Sequence, residues 1–229
     1  MCSENLKERA KKHCELKGLY NLTKKEKEIL CNRAFNELRK INLPVSNEAD
    51  YLAINNDGGI NDMKIHLAGI IENSLSNGPG MRKVLFAQGC EHNCKGCFNP
   101  ETHPRVGGEE ISVDFLVKKL LDDYMIDGVT FSGGDPILQA KSFACIAKAV
   151  NTQLNVWCYT GYTFEQLLEI SKLDSGVKEL LENIDVLVDG RFMEDLMDGE
   201  HPFRGSSNQR IIDVSESLKL GCTVEREDL

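Results

Sequence analysis

The chain has 229 residues, 41% hydrophobic and 28% charged, enough for one full domain plus an appendage and balanced enough to bury a core. No run approaches the roughly 18 consecutive apolar residues of a membrane span, and the start "MCSENLKERAKKHC" has no apolar h-region, so a cytoplasmic protein without membrane contact is expected. The net charge of -9 repels phosphate backbones and argues against nucleic acid as a direct ligand. That charge is unevenly shared: residues 1 to 62 carry net +1, which leaves -10 for residues 63 to 229.

The first 40 residues read as two helices. The second opens with Thr23-Lys-Lys-Glu26, a capping-box pattern, and Leu30, Ala34, Phe35 and Leu38 share one face at helical spacing. Pro44 stops it, and "SNEADYLAINNDGGIND" has the polar, turn-rich composition of a linker. Residues 1 to 62 are therefore expected to form a helical extension and linker, with a second domain over 63 to 229. Residues 1 to 40 alone carry 11 basic and 6 acidic residues, which suits either a docking arm or a solvated helical pair.

From Met63 the rhythm becomes strand, loop, helix. "MKIHLAGII" and "KVLFAQ" are strand-like runs separated by "NGPG". Val113, Leu116, Val117, Leu120 and Leu121 then form an amphipathic helix, followed by the strand "GVTFS". Phe143, Ile146, Ala147 and Val150 make another helix face and "NVWCYT" another strand. Phe164, Leu167 and Leu168 follow behind Thr163 and Gln166, and "IDVLVDG" closes the series. This alternation predicts an α/β fold with right-handed crossovers and a parallel sheet, binding ligands at the carboxyl ends of its strands.

Two loops at such strand ends carry the chemistry. "GCEHNCKGCFNP" places Cys90, Cys94 and Cys97 at C-x3-C-x2-C with no fourth cysteine nearby. In a reducing compartment, clustered cysteines hold metal or do redox chemistry more often than they form disulfides. Structural zinc closes its tetrahedron with four protein ligands, and electron-carrying cubanes take four thiolates. His92 is cramped as a fourth ligand between Cys90 and Cys94, and His103 is better placed for zinc. A three-thiolate cubane instead keeps one iron open for a cofactor or substrate. Gly89 and Gly96 would let the backbone curl around a large cluster. The second loop, "SGGDP", taken alone is a strand-to-helix turn; beside the cysteine loop, its glycines would let a ligand ammonium group approach backbone carbonyls. Arg82 suits either a carboxylate partner or solvent, and Asp189 suits either a functional acid or a polar strand end and is left unassigned. Cys145, Cys158 and Trp157 read as core, while Cys2, Cys14 and Cys31 lack metal-ligand spacing.

The cysteine loop after a strand, preceded by "NGPGMRKVLFAQG" and followed by "SGGDP", resembles the radical S-adenosylmethionine (radical SAM) superfamily, and within it the activating proteins of glycyl radical enzymes. "GCEHNCKGCFNPETH", "FSGGDPI", "VWCYTGY", "DVLVDGRF" and "RGSSNQRIIDV" are together most similar to the activases of anaerobic ribonucleoside-triphosphate reductase. Gly96 before the third cysteine, with the aromatic Phe98 after it, favours those activases over that of pyruvate formate-lyase. The resemblance implies an oxidoreductase with one 4Fe-4S cluster on Cys90, Cys94 and Cys97, whose open iron chelates S-adenosylmethionine. Gly96, Cys97 and Phe98 would flank that cofactor, and Gly133, Gly134 and Asp135 would hold its methionine end. An electron from flavodoxin or ferredoxin would lead to a 5'-deoxyadenosyl radical, which takes a hydrogen from a glycine of the reductase. Since 62 residues of 229 precede Met63, the remaining 167 are short for a complete eight-unit barrel of about 200 or more, so a partial, open barrel is expected. The distant rival is a non-enzymatic metal-binding regulator.

Overall fold

A computed structural model describes residues 63–197, 199 and 201–226. The expected helices of residues 1 to 40, their capping box, the linker, and Cys2, Cys14 and Cys31 lie outside the described residues.

The described part is a mixed α/β domain around a seven-stranded sheet. Its strands are β1 (Lys64–Ser74), β2 (Arg82–Ala87), β3 (Glu109–Ser112), β4 (Gly128–Gly133), β5 (Asn155–Tyr159), β6 (Val186–Asp189) and β7 (Arg210–Asp213), in the order β3-β1-β2-β4-β5-β6-β7. The central strands β2, β4, β5 and β6 run parallel, as the alternation of strands and helices requires. Both flanks depart from the expected parallel sheet: β1 pairs antiparallel with β2 and β3, and β7 pairs antiparallel with β6. The reason at the β1–β2 flank is connection length, because a parallel crossover needs about a dozen residues and "NGPG" sits in a shorter link.

Five helices follow: α1 (Val113–Leu121), α2 (Ala140–Val150), α3 (Phe164–Ser171), α4 (Ser175–Asn183) and α5 (Val214–Leu220). The apolar positions at helical spacing are the buried ones, Val113, Leu116, Val117 and Leu120 in α1 and Phe143, Ile146, Ala147 and Val150 in α2. Thr163 and Gln166 complete a reciprocal capping box at the start of α3, as their spacing predicts. The helix core takes one face of the sheet: Leu85 and Ala87, Val129 and Phe131, Val156 and Cys158, and Leu187. Each fully buried Leu, Val or Phe contributes about 1.5–3 kcal/mol by leaving water.

The opposite face carries a smaller cluster of Trp157, Val186, Val188 and Ile211, against which Phe203 packs edge-on to the indole at 5.7 Å. Trp157 is thus buried, but on the side away from the helices. Arg82 sits on this face and meets neither a carboxylate nor solvent. It is 1% exposed, and its guanidinium donates to Thr130 Oγ1 at 2.7 Å and to the carbonyls of Val129 at 2.8 Å and Asn155 at 2.9 Å. Burial lowers its pKa to about 10, still well above neutrality. Asp189 is also structural: Phe164 N–H donates to it at 2.7 Å, and Arg210 Nη2 pairs with it at 2.5 Å, tying α3, β6 and β7 together.

Candidate functional site

Loops from four regions close around the second face. Cys90 follows β2, Gly134 follows β4, Thr160 follows β5 and Gly190 follows β6, so the carboxyl ends of all four parallel strands meet one cavity of 440 Å³. This is where an α/β sheet presents ligand sites, and the volume is that of a small-molecule pocket. The thiols of Cys90, Cys94 and Cys97 all line it, together with Phe98, Gly133 and Gly134.

The cysteine loop is held mainly through its backbone. Gly89 N–H donates to Thr102 O at 2.7 Å, Cys90 N–H to His103 O at 3.0 Å and Cys97 N–H to Cys94 O at 3.2 Å. Gly96 has φ +71, and a Cβ there would come within 2.7 Å of the Glu194 carboxylate, so a glycine fits the curl that brings Cys97 round. The glycines of "SGGDP" are needed first by the protein itself. A Cβ on Gly134 would overlap the Gly89 carbonyl oxygen, while Gly134 N–H donates to Ala87 O at 2.9 Å and Asp135 N–H to Gly89 O at 2.8 Å. The two chemical loops are therefore stitched to each other, main chain to main chain.

Several groups tune the thiols. Burial pushes the Cys90 thiol up, and the backbone N–H of His92 opposes that shift by favouring the thiolate. Asn99 N–H lies 3.4 Å from the Cys97 sulfur. Among the described residues, no three His, Cys, Asp or Glu side chains converge on a point that one ion could occupy. His92 instead turns to Asp135 at 2.6 Å, so the Cys3His zinc arrangement is not assembled around it. Three thiols spread around a common cavity suit a cluster, which receives each thiolate on a separate iron.

A family described as a 4Fe-4S single cluster domain matches residues 76–212. The anaerobic ribonucleoside-triphosphate reductase-activating protein of Vibrio cholerae is 38% identical over 144 residues, covering 59% of this chain and 89% of that protein. The proteins of the same name from Enterobacteria phage T4 and Escherichia coli K12 are each 34% identical, over 85% and 90% of their lengths. The chain belongs to this activating-protein family. The solved structure of QueE from Escherichia coli aligns at a TM-score of 0.38 and 13% identity, over 45% of this chain and 56% of that one, too slight a likeness to bear on the fold.

All residues lining the cavity, from Ser76 to Gln209, fall inside the matched 4Fe-4S region. Of the expected site residues, Cys90, Cys94, Cys97, Phe98, Gly133 and Gly134 line the cavity, whereas the exposed Gly96 and the buried Asp135 do not. Phe98 is 64% exposed at the rim, with its ring 4.9 Å from that of Phe192. Residues that sequence reasoning did not single out are Ser76, Asn77, Tyr159, Thr160, Phe203 and Arg204. Tyr159 is half-buried, desolvation of its phenol raises its pKa, and that phenol donates to Phe203 O at 2.7 Å. The "RGSSNQR" stretch braces itself: Gln209 accepts from Gly205 N–H at 2.7 Å, and its amide donates to Gly190 O at 2.8 Å. The motif "VWCYTGY" could have drawn attention to Tyr159 and Thr160, because it ends at a strand's carboxyl end.

Proposed function

We propose that this chain activates anaerobic ribonucleoside-triphosphate reductase by generating its glycyl radical. The observation that carries this reading is the grouping of Cys90, Cys94 and Cys97, with no fourth cysteine among the described residues that line the cavity, at the shared carboxyl ends of four parallel strands in a member of the activating-protein family. Cys90, Cys94 and Cys97 would hold one 4Fe-4S cluster. When bound and reduced by flavodoxin or ferredoxin, the cluster would supply the electron that cleaves S-adenosylmethionine reductively, yielding the 5'-deoxyadenosyl radical that takes a glycine hydrogen.

The chain's own residues would bind, orient and exclude. The main chain of Gly133, Gly134 and Asp135 would receive the methionine end of the cofactor, with Gly134 the firmest contact. Gly96, Cys97 and Phe98 would flank it. Phe98 and Phe192 would shed water from the rim. The half-buried Tyr159 keeps its phenol neutral and engaged with Phe203 O, so it braces the wall and offers no general base. The chemistry needs none, because the difficult bond breaking belongs to the cofactors.

In this reading residues 63 to 229 are the radical SAM catalytic domain, with the sheet as a partial, open barrel, and residues 1 to 62 are a helical extension. The enzyme would work in the cytoplasm as a radical SAM oxidoreductase whose substrate is another protein. The test is anaerobic: mix reconstituted, reduced protein with S-adenosylmethionine and either the reductase or pyruvate formate-lyase, and record electron paramagnetic resonance. A glycyl signal on the reductase alone is expected. A signal on pyruvate formate-lyase alone would reassign the partner.

A further inference from the structure

His92 stands between Cys90 and Cys94, and its side chain is 6% exposed. Its Nε2 lies 2.6 Å from Asp135 Oδ2, and its ring meets that of Tyr162 edge-on at 4.6 Å. A Cβ on Gly161 would overlap the imidazole Cδ2. The loop's middle is thus clasped by the "SGGDP" turn on one side and the end of β5 on the other.

Asp135 is 1% exposed, and its carboxylate is fully engaged within the protein. Ile137 N–H donates to Oδ1 at 2.9 Å, the Thr160 hydroxyl lies 2.9 Å from Oδ2, Gly161 N–H donates to Oδ2 at 3.1 Å, and His92 Nε2 completes the set. Four donors meet a group with about four acceptor sites. The Thr160 hydroxyl also lies 3.1 Å from Oδ1, so both oxygens are engaged, and the buried carboxylate does not line the cavity that a bound amino acid would enter. A buried carboxylate held this way is costly to disturb, since each donor removed leaves a partner unsatisfied.

We propose that Asp135 acts through His92 as a positioning residue, and that its side chain makes no contact with S-adenosylmethionine. The pair fixes the Cys90–Cys94 half of the loop against the Gly133–Gly134 turn, setting the distance between cluster and cofactor cradle. This rests on the reading that the loop holds a cluster. His92 lies between two of the ligating cysteines, so releasing it from Asp135 changes how their sulfurs are presented to a cluster, and outer-shell partners of this kind tune a bound metal.

The test compares full-length wild type with His92→Ala, His92→Gln, Asp135→Asn, Gly161→Ala and the His92→Ala/Asp135→Asn double variant, each checked for folding by circular dichroism. Glutamine is the conservative replacement, because its terminal amide reaches the position of Nε2. Gly161→Ala leaves both partners in place and presses on the ring. The first readout needs no cluster: alkylation rates of Cys90 and Cys94 by iodoacetamide, followed by peptide mass spectrometry. His92→Ala and Gly161→Ala should react roughly tenfold faster or more, as loss of a charge-assisted hydrogen bond implies, and His92→Gln should recover most of the protection. After reconstitution, iron retention in His92→Ala should fall roughly 10- to 100-fold, the range for losing an outer-shell partner. Its midpoint potential should also shift, and the double variant should be no worse than Asp135→Asn. S-adenosylmethionine affinity, measured by equilibrium binding, should fall alike in His92→Ala and Asp135→Asn. The proposal is overturned if His92→Ala keeps wild-type thiol protection and potential while Asp135→Asn alone loses cofactor affinity. Should wild type itself take up no cluster, the cluster reading falls separately, and the alkylation rates still decide whether His92 clasps the loop.

Discussion

A Cβ on Gly134 would overlap the carbonyl oxygen of Gly89 and stand 2.8 Å from its carbonyl carbon. The neighbour here is backbone, so it cannot swing aside as a flexible side chain would. Gly134→Ala should therefore force the "SGGDP" turn off the cysteine loop and destabilise the fold by about 1–3 kcal/mol. Thermal unfolding reads this as a drop of about 2–4 °C per kcal/mol for a protein of this size. Gly69→Ala is the control, since an added Cβ there meets nothing within 4 Å, and it should leave the midpoint near that of wild type. Much of the site is legible at this scale, because Cys90, Cys94 and Cys97 announce themselves by spacing and Gly133 and Gly134 by their pairing. Ser76, Phe203 and Arg204 carry no such signal. They reach the cavity only because separate loops fold over the same face of the sheet, and sequence spacing does not encode that meeting.

Elements add a second layer of control where strands end. Arg210 at the start of β7 pairs with Asp189 at the end of β6 and with Glu165 in the first turn of α3. The Arg210 guanidinium holds the Glu165 carboxyl down to about 2, from an ordinary value of 4.5. A folded pKa below the unfolded one means that the pair's contribution is fully present above pH 4.5 and is lost as pH falls towards 2. The Glu165 side chain is 56% exposed, so solvent screening keeps that contribution to about 1 kcal/mol or less. Glu165→Gln should lower the unfolding midpoint slightly at neutral pH and flatten its fall across the acid range, as measured by thermal melts at stepped pH. The elements most readily read from sequence are those with a long apolar stripe, α1 and α2, and the buried central strands. Edge strands β3 and β7 have four residues each, too few to establish a period of two. Helix α4, capped by Asp174, offers only Val177, Leu180 and Leu181 as an apolar face in a polar run. The antiparallel flanks are the instructive miss, because the short link through "NGPG" already excluded a parallel crossover between β1 and β2.

At the scale of the whole molecule, charge separates the two parts of the sequence. The segment from residue 63 carries -10 and the first 62 residues carry +1, so an acidic module follows a nearly neutral leading segment whose first 40 residues carry 11 basic and 6 acidic residues. Deleting residues 1 to 62 should leave the thermal unfolding of the module and its cofactor cleavage intact. If the basic stretch docks the reductase, the deletion weakens complex formation, and pull-down with the reductase at low and high salt reads this directly. Unchanged complex formation would remove the docking role.

The central claim is that three thiols leave one cluster position open for S-adenosylmethionine, and it is tested by assaying 5'-deoxyadenosine after anaerobic reconstitution with iron and sulfide, reduction, and addition of S-adenosylmethionine. Product from wild type and none from Cys94→Ala is the predicted result. No product from a loaded, reduced wild type, or equal product from Cys94→Ala, would contradict it.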